Sequence, residues 1–168
     1  MDNDASKMNA AAREGANGAN GANGDDEAVL RGMIAAWGEA LERRDVDAMT
    51  ASYAPDVTLF DVKPPHAMQG VEAYRQTWQA CFPFLPRRFR AERRDLALTV
   101  GADMALCHCL SRLTPVDEEH PAGGTWIRCT VVFARREGRW QVVHEHGSLP
   151  FDPVTERVVY IGDDVVGS

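Results

Sequence analysis

The stretch TWIRCTVVFARREGRWQVVHEHGSL, residues 125–149, decides the fold class. Two runs rich in β-branched and aromatic residues flank Glu137-Gly138, a dipeptide suited to a tight turn between paired strands. Toward the N-terminus, TPVDEEHPAGG reads as a polar loop, MALCHCLSRL as a strand, GAD as a turn and RFRAERRDLALTV as another strand. Four consecutive strands therefore occupy the second half of the chain. Beyond the hairpin, PFDPVTERVVYIGDD fits either a short added strand or a segment that wraps the surface.

The first half is mainly helical. Val29, Leu30, Met33, Ile34, Trp37 and Leu41 recur at helical spacing, after Asp25-Asp26, whose charges suit a helix N-terminus. That helix is expected to end near Arg43-Arg44. Asp45 reads as the N-cap of a short second helix carrying Val46, Met49 and Tyr53, which Pro55 and Asp56 stop. A strand follows near residues 57–61, and Gly70 precedes a third helix with Val71, Tyr74, Trp78 and Phe82 on one face; FPFLPRR breaks it. Helices gathered before an antiparallel sheet make an α+β domain with the helices on one face of the sheet.

The 168 residues suit one domain, and 45% hydrophobic residues supply a core for it. Residues 1–24, with the repeat GANGANGANG, read as a flexible leader, residues 25–151 as the folded domain and residues 152–168 as a C-terminal extension. A net charge of −7 with scattered Lys and Arg would repel a phosphate backbone, which argues against nucleic acid as a partner. No apolar run is long enough to cross a bilayer and no secretory h-region is present, so a cytoplasmic location is expected. Cys81, Cys107, Cys109 and Cys129 contain no CxxC pair and read as free thiols, without a Cys-based metal site. No Gly-rich phosphate loop follows a strand, so no organic cofactor is expected.

The order of elements, with YAPDVTLFD, the spaced Gly70, IRCTVVF and GRWQVVHEHGSLPF, resembles the SnoaL-like group of the nuclear transport factor 2-like superfamily. The resemblance spans roughly residues 27–151. It implies a cone-shaped, curved antiparallel sheet with the N-terminal helices on its concave face, a mostly apolar pocket, and a homodimer formed through the sheet's other face. It leaves the reaction open, because the superfamily holds isomerases, cyclases, hydrolases and silent adaptors.

Similarity to ketosteroid isomerase within that superfamily implies roles for individual residues. The spacing of nine between Asp61 and Gly70 matches that of its base and the glycine opening its third helix, which implies Asp61 as general base. Counting back from Asp45 brings its oxyanion-hole tyrosine onto Trp37, and counting back from Gly138 brings its protonated aspartic acid onto Thr130. Its supporting tyrosines fall on Tyr53 and Trp78. With both oxyanion donors replaced, and one good donor worth about 3 kcal/mol, steroid-type isomerisation by that machinery is not expected.

Asp61 also fits a turn carboxylate bonded to nearby backbone N–H groups. Arg128 shares strand parity with Thr130 and Trp126, so the three are expected to face the pocket together, or else to hold its mouth or a dimer partner. His144 and His146 share a face. His146 suits an acid/base partner for Asp61, although the isomerase register turns Val143, Glu145 and Gly147 inward instead, unless a bulge near Gly147 reverses it. Trp37, Tyr53, Trp78 and Trp126 would form an aromatic wall. Two functions follow as expectations: a domain binding a small hydrophobic molecule (a polyketide, a terpenoid or an aromatic) as a cofactor-independent cyclase or isomerase, with catalytic Asp61, His146 and Arg128; or a non-catalytic binding or association module with its interior filled.

Overall fold

The computed structural model describes residues 24–163; the expected leader, apart from Gly24, and the end of the expected extension lie outside them. Helix α1 occupies 24–42, and its apolar stripe buries Leu30 and Leu41 completely. Its first turn is tied down by Asp26, whose carboxylate accepts hydrogen bonds from the Arg135 guanidinium and, at 3.0 Å, from the Trp140 indole. Those bonds hold the Asp26 carboxyl below the usual range. Arg44, at φ 59°, reverses the chain, and its guanidinium donates to the carbonyls of Phe82 and Pro86, each at 2.6 Å.

Helix α2 is Val46–Thr50, and Asp45 caps it by accepting from the Ala48 N–H at 3.0 Å. Replacing Asp45 with Ala leaves that donor without its cap and is expected to cost about 1 kcal/mol, read as a lower urea midpoint at constant slope. The helix ends before Tyr53, which the sequence reading had placed on it. Tyr53 instead opens strand β1, Tyr53–Phe60, and Pro55 and Asp56 lie within that strand. They are tolerated there because the pairing of β1 shifts register between Tyr53 and Thr58, where no ladder bond is required of the proline.

Strand β2 is Met68–Gln69, helix α3 is Val71–Cys81, and a 3₁₀ turn at Phe82–Phe84 ends it where FPF breaks the pattern. Strands β3 (Phe89–Val100), β4 (Met104–Pro115), β5 (Ile127–Arg136) and β6 (Arg139–Ser148) follow. The sheet order is β2-β1-β6-β5-β4-β3. Every pair is antiparallel except β1 with β6, which run parallel across the long connection through α3, so the expected antiparallel sheet contains one parallel seam. Glu137 and Gly138, both at positive φ, form the β5–β6 turn.

Two irregularities bend the sheet around the helices. In β3 the register shifts between Arg94 and Ala97, with Asp95 at φ 55°. In β6, Val143 is the extra residue, because Val132 pairs with His144 and Phe133 with Val142. The concave face packs Val57, Leu59, Cys107, Phe133 and Val142 against Leu30 and Tyr74 from the helices. The C-terminal segment does both things the sequence allowed. Strands β7 (Phe151–Asp152) and β8 (Arg157–Val158) form a small hairpin, and the chain then lies along Trp126, whose N–H donates to the Ile161 carbonyl.

Candidate functional site

The helices do not fill the concave face. They leave a hollow of about 290 Å³ and a smaller one of about 80 Å³, with Trp37, Ser111, Cys129 and Glu145 lining both. Apolar side chains such as Leu59, Met68, Leu113 and Ile127 form most of the larger wall. The smaller hollow is more polar, bounded by Tyr53, Arg93, Cys107, Cys109 and Glu145.

Glu145 is the central group. The bulge at Val143 advances the strand by one residue, so Val142 and Glu145 both point inward although their numbers differ in parity. The Tyr53 hydroxyl donates a short hydrogen bond to Oε2, and the Tyr74 hydroxyl lies 3.2 Å from both carboxyl oxygens. The two phenol rings stack at 5.1 Å. Glu145 is half-buried at the wall shared by the two hollows, and this burial pushes its pKa above the ordinary range; the tyrosine bonds and Arg93 work against the shift, and the charge of Asp61 adds to it. Burial first, and the charge of Glu145 second, also push both phenols up, so Tyr53 and Tyr74 remain donors.

Arg93 reaches the smaller hollow from β3, with its guanidinium 5.1 Å over the Trp37 ring. Gly38 of α1 makes room for it, since a β-carbon there would lie 2.8 Å from Nη1. The Trp37 indole N–H is buried without a hydrogen-bond partner.

Cys107, Cys109 and Cys129 are free thiols on the inner face, and Cys109 pairs directly across the sheet with Cys129. Thiol hydrogen bonds with both neighbours draw Cys109 down, whereas the bond to Cys109 and then burial push Cys107 and Cys129 up. Among the described residues no group of three or more His, Cys, Asp or Glu is arranged to hold a metal ion.

Asp61 combines the two positions weighed for it. It lines the larger hollow, where Phe60 and Val62 reach solvent, and its Oδ1 also accepts from the Val62 N–H at 2.6 Å. Lys63 stands 3.8 Å from Oδ2 and donates to the Cys81 sulfur at 2.8 Å. Trp37 and Trp78 line the same hollow and meet edge to face at 5.8 Å, and Tyr53 lines the smaller one.

Arg128, Thr130, His146 and Trp126 are elsewhere. In β5 the inward residues are Cys129, Val131 and Phe133, so the even-numbered Arg128 and Thr130 lie on the opposite face, paired with Ser148 and His146. Arg128 and His146 are exposed. His144 bonds the Thr58 carbonyl through Nδ1 at 2.8 Å, and the Phe60 ring meets both imidazoles edge-on. Trp126 is buried beneath the C-terminal segment, donating to Asp163 at 2.8 Å and stacked with Arg112 at 4.3 Å. None of the four lines either hollow. Glu145, Tyr74 and Arg93 are the residues that sequence reasoning gave no role. The isomerase register did turn Glu145 inward, and Tyr74 stands one turn before Trp78 on the apolar face of α3.

Residues 30–152 match the SnoaL-like domain family. The chain belongs to that family. A solved NTF2-like protein of unknown function from Pseudomonas putida shares 34% identity with this SnoaL-like chain at a TM-score of 0.74, covering 81% of this chain and 94% of that one. A protein from Streptomyces avermitilis, provisionally named a dehydratase of the NTF2-like family, superimposes at a TM-score of 0.63 with 20% identity over 75% of this chain and 97% of its own. A domain from Thiobacillus denitrificans, provisionally named a calcium/calmodulin-dependent protein kinase type II association domain, gives 0.59 with 26% identity, covering 71% and 93%. No protein of curated function matches the SnoaL-like chain. Among the described residues, no helix is long and apolar enough to cross a membrane.

Proposed function

We propose that this SnoaL-like domain binds a compact, largely apolar molecule in the paired hollows and transfers a proton on it without an organic cofactor. The observation that carries this reading is Glu145, a carboxyl kept toward its neutral form by burial while two phenols fix its position. Asp61, on the wall of the larger hollow, takes a proton from a carbon next to a carbonyl. The negative charge that develops on the carbonyl oxygen is met by the Glu145 carboxyl, which donates a hydrogen bond to it. Return of the proton at another carbon completes an isomerisation or closes a ring. Expulsion of a β-hydroxyl, with Glu145 giving the proton that leaves with it as water, is a dehydration, the class named for the Streptomyces protein.

A volume near 290 Å³ lies at the lower end of small-molecule sites, which limits the ligand to a compact body. The test is to incubate the purified protein with a hydrophobic metabolite extract and identify by mass spectrometry what stays bound. Asp61→Asn should then lower turnover of the captured compound about 10²–10⁴-fold, the usual worth of a positioned base. An unchanged rate removes Asp61 from the mechanism.

A second reading, an association module, is favoured by the likeness to the Thiobacillus domain and by Phe60, Met104 and Leu106, which stand exposed on strands of the sheet. On that reading copies of the chain assemble through the face that carries His144 and His146. Light scattering that gives a monomer at micromolar concentration rejects it.

A further inference from the structure

We propose that the ligand carries a single carboxylate, which Arg93 binds in the smaller hollow while the apolar body occupies the larger one. This rests on the reading that the hollows hold a small molecule, and it adds the chemical class of that molecule. Arg93 makes no hydrogen bond and no ion pair among the described residues; its contact is the face of Trp37. Arg93 is half-buried, and a guanidinium partly withdrawn from water with no anion in contact leaves its charge under-compensated. The space for it is built in, because the bare Gly38 faces Nη1.

The carboxyl beside it is no substitute. Glu145 is engaged by Tyr53 and Tyr74, and it is not in ion-pair contact with Arg93. One positive charge in about 80 Å³ matches one monoanionic, planar group that the guanidinium can grip with two parallel bonds. A phosphate dianion would need more positive charge than this hollow offers. The smaller hollow holds Arg93, whereas most of the larger wall is apolar and its Lys63 stands against Asp61, so an acidic head is drawn to Arg93 and a greasy body to the larger hollow.

The experiment titrates the protein with phenyl-substituted alkanoates of increasing chain length, the matching uncharged amides and the matching alkyl phosphates, read by calorimetry and tryptophan fluorescence. The carboxylates should bind about 10- to 100-fold more tightly than their amides, and more tightly than the phosphates. In Arg93→Met, which keeps the stem, carboxylate and amide should bind alike and the amide affinity should stay at its wild-type value. Arg93→Lys keeps the charge without the fork and should fall between. Thermal unfolding without ligand controls for folding: a cation lacking an anion predicts that Arg93→Met melts no lower than wild type.

Equal binding of acid and amide by the wild-type protein overturns the carboxylate assignment and leaves the hollow as a binding site. Failure of every compound overturns both. Preference for the phosphates overturns the choice of anion. A thiolate absorbance near 240 nm at neutral pH that disappears in Cys109→Ser also overturns it, since Arg93 would then possess a resident counter-ion.

Discussion

Glu145→Gln is expected to raise the melting temperature at neutral pH while lowering turnover of a captured substrate about 10²–10³-fold. The amide keeps the shape of the carboxyl and still accepts from Tyr53 and Tyr74, so the packing survives. It cannot ionise and is a far weaker acid, so the chemistry does not survive. The sign of the pH effect follows from the upward shift of the buried carboxyl. Below the unfolded-state value both states are protonated and Glu145 contributes nothing. Between the unfolded and folded values the folded state holds the extra proton, so stability falls as pH rises; above the folded value the full penalty persists. The substitution removes that penalty, so its gain in melting temperature is absent in acid and grows toward neutral pH. Melting curves across the acidic and neutral range check it. A wild-type protein whose carboxylate-linked stability rises through that window, with Glu145→Gln lower throughout, contradicts the assignment.

Phe133→Ala is expected to produce the largest loss of stability, about 3–5 kcal/mol, or roughly 10–15 °C in melting temperature. Phe133 is among the largest fully buried side chains, and it also borders the smaller hollow. A site that already adjoins a void cannot close over the missing ring. Removing the ring therefore enlarges the hollow under Arg93, and a small apolar guest such as benzene should recover part of the loss. Failure of any guest to raise the melting temperature would mean that the surrounding strands had collapsed into the space.

The helical half of the fold was legible because its signals are local. Asp45 caps its helix through a bond three residues along the chain, and the stripe Val71, Tyr74 and Trp78 is visible without knowing what it packs against. Tyr53 was misplaced because a residue between a short helix and a strand satisfies either pattern, and only pairing with Val142 across the sheet decides. The inward face of β5 was readable from its own alternation, since Cys129, Val131 and Phe133 are apolar and Arg128 and Thr130 are not. The count from Gly138, taken from a relative's hairpin, outweighed that local pattern and reversed the face.

Arg93 was not readable at all. Leu96, Leu98 and Val100 pack toward the core, and strict alternation back from them would turn Glu92 and Arg94 inward. The irregularity at Asp95 reverses the sense, so Ala91 and Arg93 point in while Glu92 and Arg94 meet Arg112 and Asp163 outside. Nothing in the local sequence marks that reversal except an aspartate, a residue tolerant of positive φ.

The extra residue in β6 has an evolutionary meaning. Val143 is a spare residue, and the strand on either side of it stays in step with β5. Without it Val142 would still lie opposite Phe133, His144 opposite Val132 and Glu145 opposite Val131, a regular ladder with the acid facing the chamber as before. Its loss would straighten the strand rather than change the chemistry, so a lineage could shed or gain that codon and alter the chamber's curvature while keeping its acid.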